Sequence, residues 1–129
     1  MVSIKQDIPF KRIADIMTTA MECNDMTASW CHSAILAGYT TELYTPENNQ
    51  DPWYTHPELY ADPLLRITVT MQDDDDPARE MTYASIHKGL QLMADKEGRH
   101  FADFMAESDD AVTADVFLQL CVFGEVIFG

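Results

Sequence analysis

The sequence predicts an α+β fold, a small antiparallel sheet of about three strands packed on helices, with a buried helix at the C-terminal end. Three observations carry this expectation. From Val116 to Phe128 almost every residue is apolar, too continuous for a helix with one wet face. Residues 64–71 alternate strictly, with Leu65, Ile67, Val69 and Met71 on one side and Leu64, Arg66, Thr68 and Thr70 on the other. The strand patterns also do not alternate with helical ones, which argues against a parallel βαβ sheet. With 129 residues and 47% hydrophobic content, the chain suits one domain with a real core.

Taken in order, residues 9–24 place Phe10, Ile13, Met17, Ala20, Met21 and Asn24 at helical steps, with Lys11, Arg12, Asp15 and Glu22 opposite and Pro9 in the first turn. Residues 27–36 read as a strand, with Trp30, His32, Ala34 and Leu36 facing one way and Ser29, Cys31, Ser33 and Ile35 the other. Residues 38–63 contain four prolines and five aromatics. A connection this long is functional or disordered, and its aromatics argue for order, with a short helical turn at 57–60. After the strand at 64–71, Asp73, Asp74, Asp75, Asp76 and Pro77 form a turn, and residues 79–81 return as a shorter strand. Thr82 is the expected N-cap of a helix with Ile86, Leu90 and Met93 inside, where Gly89 marks a close neighbour and Gly98 the stop. A short amphipathic piece with Phe101, Phe104 and Met105 leads into about five turns of central helix, opened by residues 108–110 and closed by a terminal Gly.

Composition excludes several functions. With 22 acidic against 8 basic residues, the formal charge of −14 repels nucleic acid and anionic lipid, so no direct nucleic-acid binding is expected. The apolar run at 116–128 is shorter than a bilayer span and is broken by Gln119 and Glu125, so no membrane helix is expected either. Three cysteines without paired spacing, and an N-terminus without an apolar signal core, point to the cytoplasm.

No residue set carries a strong catalytic signature, and neither a cofactor nor a metal is expected. Cys31 and His32 are adjacent on a strand and so point apart, and Cys23 has no spacing partner. The four aspartates lack the glycine and terminal glutamate of a calcium loop. His56, between Asp51 and Glu58, is the best placed acid/base candidate, but no nucleophile accompanies it. Cys121, within the apolar run, reads as a core residue.

The more informative feature is an asymmetry of charge. No Lys or Arg follows Arg99, whereas Asp103, Glu107, Asp109, Asp110, Asp115 and Glu125 do. If the central helix is interior, its acidic entrance from Glu107 to Asp115 sits at the surface beside the hairpin tip and makes an extended acidic face. Such a face keeps a protein soluble, or imitates a phosphate lattice toward a basic groove.

Residues 99–129, with Trp30-Cys31-His32 and Asp51-Pro52-Trp53-Tyr54, resemble a family of small proteins encoded by bacteriophages and prophages. The resemblance covers most of the chain in order and supplies no catalytic residues. It implies an accessory protein that binds and inhibits a host protein with a basic surface, such as a nucleic-acid-binding defence complex, in the manner of anti-CRISPR or antirestriction factors. The expected contact residues are Asp73, Asp74, Asp75, Asp76, Glu107, Asp109 and Asp110, with Trp53 and Tyr54 as aromatic anchors. Two other readings stand beside it. One is a small-molecule binder or enzyme with a pocket under the 38–63 loop that uses Trp30, His56 and Tyr60. The other is an assembly component that works by self-association.

Overall fold

A computed structural model of the chain describes residues 8–22, 24–38, 51–108 and 110–128. The elements run α1 (Phe10–Met21), α2 (Asp25–Ala28), β1 (Cys31–Leu36), β2 (Arg66–Met71), β3 (Arg79–Thr82), α3 (Tyr83–Lys96), α4 (Gly98–Met105) and α5 (Ala111–Phe123). Two 3₁₀ turns, Trp53–Thr55 and Pro57–Ala61, lie between β1 and β2. The three strands form an antiparallel sheet in the order β1-β2-β3, so the fold is α+β as the sequence predicts. Among the described residues no helix is long and apolar enough to cross a membrane.

The alternation in β2 does what its period requires. Leu65, Ile67, Val69 and Met71 are all buried, and Ile67 pairs with Met81 of β3. On the wet side, Arg66 forms an ion pair with Glu80 across the two strands. Thr82 caps α3 through a reciprocal box in which its hydroxyl accepts from the Ser85 backbone N–H while the Ser85 hydroxyl accepts from that of Thr82. Ile86, Leu90 and Met93 form the inner stripe of α3.

The hub is α5, which packs against α1, α2, α3, α4 and β3. Nine consecutive residues, Thr113 to Cys121, are buried, so every side of the helix meets protein. Gly89 makes the α3 approach feasible. A Cβ there would stand 2.5 Å from Cys121 Sγ and 2.9 Å from the Cys121 backbone N.

Three of these buried residues are polar, Thr113, whose hydroxyl meets His100 Nδ1, and the pair Asp115 and Gln119. Asp115, only 4% exposed, accepts hydrogen bonds from the Trp30 indole N–H (2.8 Å) and the Thr27 hydroxyl (3.0 Å) on one oxygen, and from the Gln119 amide (2.8 Å) on the other. The second N–H of Gln119 donates to the Phe128 carbonyl (2.9 Å), and its oxygen accepts from the Ile127 and Phe128 backbone N–H groups (2.8 Å each). That uses both donors and both lone pairs of the carboxamide, which is what a fully buried amide requires.

Several expectations are corrected. The expected five-turn helix is shorter, because Gly124 takes the left-handed conformation (φ 74°) and ends α5 at Phe123; residues 124–128 then fold back over the helix in non-helical form. Asp115 belongs to the interior rather than to an acidic surface entrance, since three donors converge on it. Residues 25–28 are a helical turn capped by Asn24, whose side-chain oxygen accepts from the Met26 and Thr27 N–H groups. In β1 a register shift between Cys31 and Ser33 breaks the predicted alternation at its start, so Cys31 is buried and His32 exposed, while Ala34 and Leu36 pack on the core and Ile35 faces out as expected. Gly98 opens α4 instead of ending α3, which stops at Lys96. Phe10 and Met105 lie near 40% exposure (39% and 41%), off the apolar stripes assigned to them. Arg12 turns inward, stacking on the Phe104 ring and donating to its carbonyl at 2.8 Å.

The α3–α5 contact yields a test. Gly89→Ala gains about 1 kcal/mol of helix propensity but forces two packed helices apart, and overpacking of this kind costs about 1–3 kcal/mol. Urea unfolding is expected to show net destabilisation. Cys121→Ala added to it should not restore stability, because the backbone N at 2.9 Å remains.

Candidate functional site

The β2–β3 hairpin carries the densest charge on the molecule's described surface. Its base is fixed by Gln72, whose backbone N–H donates to the Trp30 carbonyl (2.9 Å) and whose side-chain amide donates to the Ala28 carbonyl (2.9 Å). The turn folds on itself, with the Asp75 N–H on Asp73 Oδ1 (2.9 Å) and the Asp76 N–H on the Asp73 carbonyl (3.0 Å). Asp73, Asp74, Asp75 and Asp76 are all exposed, and among the described residues no cation pairs with any of them. Two unit charges about 6 Å apart in water repel by about 0.7 kcal/mol. A rigid cluster of four therefore attracts a complementary basic surface more strongly than scattered carboxylates do.

The second acidic group lies at the α4–α5 junction. Glu107 adopts a positive φ of 58° and is exposed, with its carboxylate 3.9 Å from Arg12 Nε. Asp110 is the N-cap of α5 and accepts from the Thr113 N–H at 2.9 Å. That backbone bond holds its carboxyl below the usual range. Asp109 lies outside the described residues.

Asp110 caps the start of α5. The hairpin is tied through Gln72 to Ala28 and Trp30, of which Trp30 donates to Asp115 near that start, and through Arg79, whose guanidinium sits 5.0 Å over the Phe123 ring, to the other end. Asp115 is buried and so contributes nothing to the extended acidic face expected from the sequence.

Trp53 and Tyr54 are committed to the fold. The Trp53 indole N–H donates to the Ala34 carbonyl of β1 (3.1 Å), and its ring meets Tyr54 edge-on at 5.5 Å. The Tyr54 carbonyl accepts from the buried Tyr60 hydroxyl (2.7 Å). The Tyr54 phenol is raised by partial burial and then by the Glu22 carboxylate. Both 3₁₀ turns pack on α1, so these aromatics clip the loop to the body.

A cleft of about 420 Å³ opens between the end of α1, α2 and β1. Asn24, Asp25, Cys31, His32 and Tyr54 are among its lining residues. Burial pushes the Cys31 thiol up to about 11, partly offset by the Ser33 backbone, so it is protonated at neutral pH and is no ready nucleophile.

Of the pocket expected under the 38–63 loop from Trp30, His56 and Tyr60, residues 39–50 lie outside the described residues. Trp30 is spent on Asp115 and Tyr60 on Tyr54, and neither lines the cleft. His56 Nδ1 lies 3.5 Å from Glu58. His87 and His100 hold structural contacts, to the Tyr60 carbonyl (3.0 Å) and the Thr113 hydroxyl (2.8 Å). Among the described residues no three His, Cys, Asp or Glu side chains converge as a metal site, and Cys23 is outside them.

Sequence reasoning missed the Trp30–Thr27–Asp115–Gln119 network. A signal for it existed, since Asp115 and Gln119 are spaced i, i+4 on a helix read as buried, and buried polar groups need partners. Comparison of the chain with protein-family models, with curated proteins and with solved structures finds no match.

The Asp110 cap gives a pH-dependent prediction. Its folded pKa is lowered, so its contribution to stability is complete above the ordinary carboxylate value and is lost as pH falls through the folded value. Asp110→Ala should cost about 1 kcal/mol near neutrality. Asp110→Asn should retain most of the cap while flattening the acid limb of stability against pH, as read by urea unfolding between pH 7 and about pH 2.

Proposed function

We propose that this chain is a non-enzymatic, acidic binding protein whose hairpin tip engages a basic surface of another protein. The observation that carries the reading is the tip itself, with four exposed carboxylates in sequence, held by an internal turn and a two-point anchor, and unneutralised by any described neighbour. Fixing the charges in advance lowers the ordering cost of binding, and the chain's formal charge of −14 adds long-range steering. The state of the catalytic candidates supports the same reading. Cys31 is protonated, and His56, His87 and His100 are engaged in contacts with the fold, which leaves His32 exposed at the cleft with no ready nucleophile beside it among the described residues.

The finer form of the proposal rests on the resemblance to phage and prophage proteins. In it the partner is a nucleic-acid-binding defence protein in a bacterial host's cytoplasm, and the aspartates compete with phosphate for its basic groove. Glu107 and Asp110, both exposed at the approach to α5, would serve as a second point of contact.

The test is affinity capture from a bacterial lysate with the intact chain and with Asp73, Asp74, Asp75 and Asp76 all changed to Asn. The intact chain should retain a basic protein at low salt and release it at about 1 M salt, where the Debye length falls to about 3 Å. The asparagine variant should lose at least about tenfold in affinity, each tenfold being 1.4 kcal/mol. Equal capture by both chains, or capture indifferent to salt, overturns the proposal.

A further inference from the structure

The groove beneath residues 124–128 is a built site for extended peptide. Its floor is Gln119, fully buried at mid-helix, whose carboxamide reads the backbone of Ile127 and Phe128 through three hydrogen bonds, much as a neighbouring strand would. Its wall is aromatic. The Phe128 ring lies parallel to Trp30 (5.8 Å between centroids, 4° between planes) and tilted against Phe123 at 5.9 Å. Trp30 is held in turn by Asp115, which also accepts from Gln119, so floor and wall are fixed by one carboxylate.

The segment that fills this groove is held by few points. Val126, Ile127 and Phe128 remain 39%, 49% and 38% exposed while docked, so the grip comes from Gln119 and Trp30 more than from burial of the segment's own side chains. It joins α5 through Gly124, whose left-handed backbone reverses the chain and whose surroundings are open, with nothing within 4 Å of where a Cβ would stand. This combination, a specific groove and a segment joined to it by an unpacked hinge, suits reciprocal exchange between identical chains.

We propose that the groove is an exchange site, occupied in cis by residues 124–128 and in trans by the same segment of a second copy, to form an arm-exchanged dimer. An empty groove would leave buried atoms of Gln119 without partners and expose one face of Trp30. The segment therefore leaves readily only when an equivalent one replaces it, and a second copy supplies every lost hydrogen bond and the same ring stack. Charge opposes the exchange. Arg79, over Phe123, begins the strand that follows the four aspartates of the tip, and each chain carries −14. Salt should accordingly promote the dimer, the reverse of its effect on binding to a basic partner.

The experiment is sedimentation velocity on the intact chain from micromolar to about millimolar concentration, the range of effective concentration for a short tether, at low and at about 1 M salt. The expected result is a monomer–dimer equilibrium that shifts toward dimer with concentration and with salt. Gly124→Pro closes the left-handed turn to the hinge and should lower the dimer dissociation constant by about tenfold or more. Phe128→Ala removes the ring stack and should abolish the dimer while leaving a folded monomer. An intact chain that stays monomeric throughout, or a dimer that survives Phe128→Ala, overturns the proposal. So does a Gly124→Pro chain that remains monomeric yet binds an added peptide of residues 124–128, since the groove would then serve another partner.

Discussion

The constraint on which the structure rests is that α5 has no solvent side from Thr113 to Cys121. A helix so enclosed must find a neighbour for every face and a partner for every polar atom. Each neighbour is positioned by one particular residue. Gly89 lets α3 come within contact of the Cys121 backbone, Asp115 fixes Trp30 and Thr27 at the entrance to β1, and Gln119 holds residues 127 and 128. An apolar residue at 115 or 119 would pack well enough, but it would not specify where the indole or the returning chain must go. In this fold the buried polar pair contributes specificity of arrangement alongside whatever it adds to stability.

The same enclosure governs where charge resides. Asp115 is satisfied inside by neutral donors and adds nothing to the surface, so the densest negative cluster among the described residues is the hairpin tip, with Glu107 and Asp110 at the approach to α5 and Glu125 just beyond its end. A partner reading the tip alone meets a pre-formed turn with four carboxylates and little to rearrange.

Much of the fold was legible because period and punctuation agree there. Alternation at residues 65–71, the aspartate turn, the Thr82 cap, the Ile86–Leu90–Met93 stripe and the close approach at Gly89 all appear where the sequence places them. Where reading failed, a longer-range requirement had overridden a local pattern. The register shift beside Cys31 interrupts a regular alternation that resumes at Ala34. Gly124 ends a run whose hydrophobicity continues past it, because φ and not hydropathy decides where a helix stops. Asp115 resembles any acid near a helix start until Trp30, 85 residues earlier, is seen to donate to it. The hairpin aspartates were legible as an exposed cluster because four like charges before a proline leave no apolar side to bury.

One detail of the core has a practical corollary. Cys121 is wholly enclosed, its sulfur pressed on the space where Gly89 has no side chain, and burial keeps the thiol far from its reactive anion. No local fraying of the hairpin or of the C-terminal arm uncovers it, because α3 and α5 must part first. The rate at which this one sulfur becomes available to an alkylating reagent is therefore a clock for opening of the whole interior, readable from the mass of the peptide that carries Cys121.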